Sequence, residues 1–170
     1  MGELSRALAA WREVVGDAQV RIDPEARRDA ARATFHTRAA PSCIVRPGSL
    51  AELQACMRVA SETGVPVYPT SRGRNLGYGS RVPTRDGAAL LDLGRLDGIL
   101  DLDCELGTVV IEPGVTFAAL AGRLRGSGHT IARTGAPPDA SVLANSLERG
   151  IGRGRHCTRA DRLAGLHVVL

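Results

Sequence analysis

Lysine is missing from this sequence: all 22 basic residues are arginine. That excludes chemistry built on a lysine Schiff base, and it excludes the phosphate-binding loop that ends in Gly-Lys-Ser/Thr. Aromatic residues make up only 3%. Leu, Val, Ile and Ala must therefore carry most of the packing, and the interleaved basic and aromatic side chains that stack single-stranded nucleic acid are lacking. The four cysteines, Cys43, Cys56, Cys104 and Cys157, form no C-x-x-C pair, which argues against a zinc site. No apolar run approaches membrane-spanning length, and charges interrupt Met1–Val15, where a signal peptide would need an apolar stretch. The expected address is the cytoplasm, with neither nucleic acid nor membrane as partner.

What is present fits one ordinary domain. The chain has 170 residues, 44% of them apolar, enough to bury a core and too many for a mainly disordered chain. Twenty glycines and nine prolines imply many special turns, some of them functional, because a ligand can approach backbone closely only where side-chain bulk is absent. The formal charge of +4 suits an anionic ligand, and arginine's planar fork pairs two-pronged with phosphate or carboxylate.

Leu4, Leu8, Trp11 and Val15 recur at helical spacing and Gly16 supplies a stop. Asp23-Pro24 reads as an N-cap with proline at N1, opening a second helix through about Ala33. These two helices are assigned to an N-terminal arm, residues 1–40. Regular structure is expected from Pro41. Ser42–Arg46 reads as a short strand, and Ser49-Leu-Ala-Glu52 as a capping box. Leu50, Leu53, Met57 and Ala60 follow on one helix face, with Cys56 in the core and Gly64 as the stop. Val65–Thr70 is a strand that Pro66 and Pro69 keep short or confine to an edge. Ala88–Leu93 is a continuous apolar strand broken only by Asp92. That order predicts a small parallel βαβ unit over residues 41–98.

Beyond Arg95 the texture changes. Ile99–Asp103 and Thr108–Glu112 flank Cys104–Gly107 as a hairpin. Thr116 caps a helix carrying Phe117, Leu120 and Leu124, and Gly126-Ser-Gly128 ends it. His129–Ala132 is expected as a strand, Val142–Glu148 as a short helix, and Leu166–Leu170 as a strand. The chain stops on that last strand, so residues 99–170 are read as the incomplete beginning of a second subdomain, truncated and lacking a cap domain.

Two glycine-arginine stretches carry the chemistry. In Ser71-Arg-Gly-Arg-Asn-Leu-Gly-Tyr-Gly-Ser80 the glycines free the backbone to bare its N–H groups. Successive N–H groups turned inward form an anion nest, and Arg72 and Arg74 flank Gly73. On this loop alone, a diphosphate cradle and a glycine-rich surface turn fit equally well. The Rossmann fingerprint does not fit, because Gly77-Tyr-Gly79 is followed by Arg81, Val82 and Pro83 rather than by a helix. The second stretch, Pro137–Gly154, holds Asn145, Glu148, Arg149, Gly150 and Gly152. If it faces the first, the two could clamp one long ligand, although Glu148 and Arg149 taken alone read first as a salt bridge ending a helix.

Three motifs recur in order and with matching intervals: Arg-Asn-Leu-Gly-Tyr-Gly at 74–79, Glu-Pro-Gly-Val-Thr at 112–116, and Ser-Val-Leu-Ala-Asn with Glu-Arg-Gly-Ile-Gly at 141–152. Together they resemble the FAD-binding domain of the vanillyl-alcohol oxidase and p-cresol methylhydroxylase flavoproteins, from about Pro41 to Leu170. The resemblance implies an α/β (α+β) PCMH-type fold: a small parallel βαβ subdomain, then the start of a second, mixed or antiparallel subdomain, with FAD between them. By that likeness Arg72, Gly73, Arg74, Asn75, Leu76, Gly77, Tyr78, Gly79 and Ser80 cradle the diphosphate, mainly through backbone N–H groups. Pro113, Gly114 and Val115 border the cofactor. Ser141, Val142, Asn145, Glu148, Arg149, Gly150 and Gly152 form the opposing wall.

The implied activity is hydride transfer from a substrate C–H bond to flavin N5, with reoxidation by oxygen or another acceptor. Departures matter as well. Asn75 stands where some relatives attach FAD through histidine and cannot form that bond. Asp139 is shifted from the acidic position some relatives place near N5, so no catalytic residue is assigned. His156 and Cys157 suit a pocket or a surface turn alike, and His36, His129 and His167 are read as packed or solvated. The small-molecule substrate is expected to bind through a missing cap domain, with a partner chain or missing C-terminal half completing the fold. Two other readings keep their place: a non-catalytic remnant or split-protein half of the same fold, and an arginine-rich polyanion-binding module, which strong salt dependence would betray.

Overall fold

The computed structural model describes residues 2–74, 81–131, 136–147 and 160–170. It contains two compact units: the described parts of Met1–Thr70, Ser80–Arg95 and Val168–Leu170, and the described parts of Ser71–Gly79 and Leu96–His167.

The first unit is organised around a four-stranded sheet in the order β1 (Val20–Arg21), β2 (Ile44–Val45), β4 (Ala89–Asp92), β3 (Val67–Thr70). β2, β4 and β3 run parallel, with Val45 opposite Leu91 and Thr70 opposite Asp92. β4 is central, which explains its uninterrupted apolar run Ala89-Leu90-Leu91: a strand flanked by two neighbours and covered by packing has no polar face. β3 lies on an edge, and Pro69 is tolerated there because it has no ladder N–H to give. β1 pairs antiparallel with β2. Two residues are too few to leave a periodic trace, so sequence reading missed it.

Helix α3 (Leu50–Thr63) makes the crossover between β2 and β3. Ser49 Oγ accepts the Glu52 N–H at 3.1 Å, while the Glu52 carboxylate accepts from Gly48 N at 2.7 Å, one residue before the position a strict capping box uses. Gly64 closes the helix in the left-handed region, at φ +70°. The buried face carries Cys56 and Ala60, with Leu53 and Met57 partly buried against the core. Leu50, expected on that face, is instead 52% exposed. It stands at the first helical position, before the helix has turned its apolar stripe onto the sheet.

Helix α1 (Glu3–Val15) is not an arm. Ala7, Trp11 and Val15 are buried in the same core as Cys43, Val45, Cys56 and Leu91, Leu8 packs partly buried against it, and Leu4, expected on that face, is exposed. The side chain of Trp11 is among the largest fully buried ones, and so large an apolar surface holds the helix against the sheet. Helix α2 (Pro24–Ala30) starts as its cap predicts, with Asp23 accepting from Ala26 N at 2.8 Å, but ends before Ala33. Ala26 and Ala30 pack with Ile44 and Leu90.

The second unit opens with the antiparallel hairpin β5 (Ile99–Asp103) and β6 (Thr108–Ile111), with an irregularity between Ile99 and Asp101. Asp103 Oδ1 accepts from both Glu105 N and Leu106 N at 2.9 Å, and Gly107 takes φ +67° to finish the turn. Helix α4 (Phe117–Arg123) is capped by Thr116, and α5 is Val142–Leu147. Phe117 and Leu120 of α4 pack with Val115, Ala140 and Val142, and the inner residues of the hairpin close the cluster.

Two expected strands are not formed among the described residues. His129–Ile131 makes no ladder, and Leu166–Leu170 runs without strand pairing, Val168 and Leu170 standing exposed. An apolar run becomes a strand only where a neighbouring backbone offers hydrogen bonds, and these stretches have no such neighbour among the described residues.

Candidate cofactor site

The described candidates gather in the second unit. Arg72, the first of them, sends Nε to the carbonyl of Gly114 at 2.6 Å and Nη2 to Asp97 at 3.2 Å. Gly73 follows at φ +62°, in the left-handed region that an αR-αL anion nest requires and that favours glycine. Arg74 Nε lies 3.1 Å from the carboxylate of Asp139, in a pair whose side chains are well exposed. The two arginines expected to meet phosphate are therefore engaged with protein acceptors.

Pro113, Gly114 and Val115 form the middle of this arrangement. Gly114 N donates to Leu96 O at 2.6 Å, and Val115 N to Glu112 O at 3.1 Å. Glu112 is held in turn: its carboxylate accepts from Gly98 N at 2.7 Å, closing the base of the hairpin. A side chain on Gly98 would meet that carboxylate at 3.0 Å, so only glycine fits without displacement.

Ser141 ties the next segment on. Its hydroxyl donates to Pro113 O at 2.6 Å and accepts from Ala144 N at 3.1 Å, serving as tether and helix cap together. Val142 N donates to Val115 O at 2.9 Å, and Thr116 and Ser141 form an isolated antiparallel bridge. Ser141, Val142 and Asn145 are all buried. Residues 72–74, 113–115 and 141–145, far apart in sequence, are thus linked by short hydrogen bonds within one unit.

Asn75, Leu76, Gly77, Tyr78, Gly79 and Ser80 lie outside the described residues. So do Glu148, Arg149, Gly150, Gly152, His156 and Cys157. Of the other histidines, His36, His129 and His167 are exposed. Among the described residues no group of His, Cys, Asp and Glu could hold a metal ion, and no helix is long and apolar enough to cross a membrane.

Sequence reasoning missed two carboxylates that receive arginines, one in each unit. Asp97 receives Arg72, while in the first unit Asp92 receives Arg81 at 3.5 Å and Arg46 at 3.7 Å. Asp92 did leave a signal: it is the lone charge ending an otherwise apolar central strand, and a carboxylate so placed needs cationic partners.

The family model for an FAD binding domain matches residues 41–170. The chain belongs to the FAD binding domain family. Pro41, where the three-motif resemblance begins, is also where that match begins. The chain is 50% identical, over 98% of its length, to the 1'-carboxy-chondrochloren decarboxylase of Chondromyces crocatus. It is 26% identical, over 99% of its length, to the 4-cresol dehydrogenase [hydroxylating] flavoprotein subunit of Pseudomonas putida. It covers 31% and 33% of those two proteins, about a third of the length of the relatives it matches.

Among solved structures, p-cresol methylhydroxylase with substrate bound superposes with a TM-score of 0.84 at 25% identity, over 94% of this chain and 32% of that one. The 4-ethylphenol oxidase of Gulosibacter chungangensis, in complex with isoeugenol, gives 0.78 at 32% identity, over 88% and 30%. The PCMH-type α/β fold expected from the three motifs is the fold observed, with parallel strands in one unit and an antiparallel pair in the other. The cofactor of this family is FAD. The chain carries the FAD-binding domain found in flavin-dependent oxidoreductases.

The described residues fit that cofactor. Gly73 has the left-handed backbone conformation of an anion nest, and the buried Gly114, Val115, Ser141, Val142 and Asn145 stand in a cluster tied by main-chain and Ser141 hydrogen bonds.

Proposed function

We propose that residues 72–80 cradle the diphosphate of FAD through main-chain N–H groups. Pro113, Gly114 and Val115 border the cofactor, and Ser141, Val142, Asn145, Glu148, Arg149, Gly150 and Gly152 form the facing wall. FAD, when bound, supplies a two-electron acceptor at N5 that takes hydride from a substrate C–H bond and that oxygen or another acceptor reoxidises.

The observation carrying this reading is the bond from Arg72 Nε to Gly114 O at 2.6 Å, which ties the residue two positions ahead of the first motif to the second motif. The residues of this chain bind and orient. Backbone N–H groups spread over two phosphates neutralise charge without demanding a free cation, and Ser141 keeps the Pro113 carbonyl occupied so that the turn presents one fixed face. A small-molecule substrate would bind on portions of the protein beyond these residues, with either a further segment or a partner chain completing the fold. The cytoplasm remains the proposed location, supported by free thiols at Cys43, Cys56 and Cys104.

The test is Gly77→Val in the whole protein. A branched side chain where backbone must approach phosphate abolishes flavin incorporation, read from the absorbance of the purified protein. Full flavin content in that variant overturns the assignment.

The relative at 50% identity favours a second reading of the reaction. Its name is that of a decarboxylase, so the substrate of the present protein would carry a carboxyl group lost as carbon dioxide. Carbon dioxide release measured alongside flavin reduction separates the two.

A further inference from the structure

We propose that the side chain of Arg72 is a positioning residue for the Pro113–Gly114–Val115 turn and not a ligand of the FAD phosphates. This rests on the reading that the turn borders the cofactor.

Arg72, Asp97 and the turn all belong to the second compact unit. The main-chain groups of the turn are engaged one by one. Pro113 has no N–H, Gly114 N donates to Leu96 O at 2.6 Å, and Val115 N donates to Glu112 O at 3.1 Å. Three successive carbonyls are filled by three different residues: Pro113 O by Ser141 Oγ at 2.6 Å, Gly114 O by Arg72 Nε at 2.6 Å, and Val115 O by Val142 N at 2.9 Å. Gly114 and Val115 are buried. With its polar groups paired inside the protein, the turn offers a ligand surface and shape, and its value lies in standing still.

Ser141 and Val142 come from one segment, whereas Arg72 reaches Gly114 from 42 residues earlier in the chain. Asp97 sets the guanidinium, its Oδ2 accepting from Nη2 at 3.2 Å. Nε and Nη2 make one edge of the planar fork, so a carbonyl and a carboxylate fill that edge together. The carboxylate also neutralises the charge that a phosphate would need. Without Arg72 the Gly114 carbonyl loses its donor, and the turn must shift to find another. A wall already ordered in the free protein binds more tightly than one the ligand has to order.

The experiment is titration of the flavin-stripped whole protein with FAD, read by flavin fluorescence at about 0.05 M and about 0.5 M salt. Arg72→Gln weakens FAD about tenfold, by the same factor at both salt concentrations, because the bond it loses is to an uncharged carbonyl. Arg72→Lys recovers little, since a point charge does not satisfy both acceptors in one plane. Asp97→Asn weakens binding about threefold by releasing the fork. A phosphate ligand behaves in the opposite way: removing the competing carboxylate tightens FAD, lysine restores most of the affinity, and the glutamine loss shrinks in high salt. Any of those three results overturns the proposal.

Pro113→Ala probes the underlying reading, because it trims the turn and leaves Arg72 in place; weaker FAD binding supports a turn that borders the cofactor. If Pro113→Ala weakens FAD while the Arg72 and Asp97 variants bind like wild type, melting earlier or not, Arg72 serves stability alone and only the positioning role falls. If Pro113→Ala also binds like wild type, or wild type binds no FAD, the reading falls and the proposal with it. Should Arg72→Gln not fold by circular dichroism, the sign of the Asp97→Asn effect decides, since Asp97 is 60% exposed and its replacement leaves Arg72 present.

Discussion

Trp11 and Cys56 stand 45 residues apart and are joined in the fold, the indole Nε1 donating to the Cys56 carbonyl at 3.1 Å. The bond satisfies the one polar atom of a side chain that is 1% exposed, and it welds α1 to α3. Trp11→Ala should cost about 3–5 kcal/mol in urea unfolding followed by circular dichroism, from lost burial and the cavity left behind. Trp11→Phe keeps much of the burial but leaves a helix carbonyl without this donor, so a smaller loss is expected. An alanine variant as stable as wild type would restore the view of α1 as a detachable arm.

Ser141 does two jobs with one oxygen, tethering Pro113 and capping α5. Ser141→Ala removes both and should destabilise by about 1–2 kcal/mol. Ser141→Thr keeps the hydroxyl and should recover part of the loss in the same denaturation series. A neutral alanine variant would mean that the short bond to Pro113 contributes nothing net.

Burial pushes the thiols of Cys43 and Cys56 up to about 11 from an ordinary 9.0, and for Cys56 the nearby Glu52 carboxylate adds to the effect. Folding holds these groups protonated, so their contribution is complete below the ordinary value and is lost as pH climbs from about 9 toward 11. In a Cys157→Ser background, alkylation at about pH 8 should modify Cys104 alone in the native state and all three thiols in urea. Rapid modification of Cys43 or Cys56 without denaturant would contradict their burial.

Asp23 is shifted the other way. The Ala26 N–H, and after it the Arg21 guanidinium, hold its carboxyl below the ordinary 3.8. A carboxylate with a lowered folded pKa stabilises above its unfolded value, and that contribution disappears as pH falls through the folded one. Asp23→Asn retains a cap for α2 but does not titrate. The gap in melting temperature between wild type and this variant should therefore close in acid below the ordinary carboxylate value. A gap that persists unchanged there would assign the cap's worth to geometry alone.

Much of the fold was legible because local chemistry leaves local marks. Asp23-Pro24, Ser49 with Glu52, and Thr116 each announce a helix start, and each accepts the N–H its type predicts. Pro66 and Pro69 marked an edge strand, and the Cys104–Gly107 turn marked a hairpin. What failed depended on neighbours. Leu50 was placed inward by periodicity but lies at the exposed first turn, and Leu166–Leu170 had strand character without a paired backbone beside it. Arg72 and Arg74 looked like ligand arginines because nothing in their surroundings names Gly114, Asp97 or Asp139 as partners.

The order of amino acids by itself determined the helix caps, the positive-φ turns, the apolar content of the central strand and the three motifs that mark an FAD-binding domain, since each depends on residues a few positions apart. Only tertiary structure decided that α1 belongs to the core, that Asp92 and Asp97 receive arginines, and that Ser141 closes onto Pro113. The separation is 25 residues for Arg72 and Asp97, 28 for Ser141 and Pro113, and 45 for Trp11 and Cys56. At such separations the partner is chosen by which surfaces the folded chain brings within hydrogen-bonding reach, and no short window of sequence contains both ends.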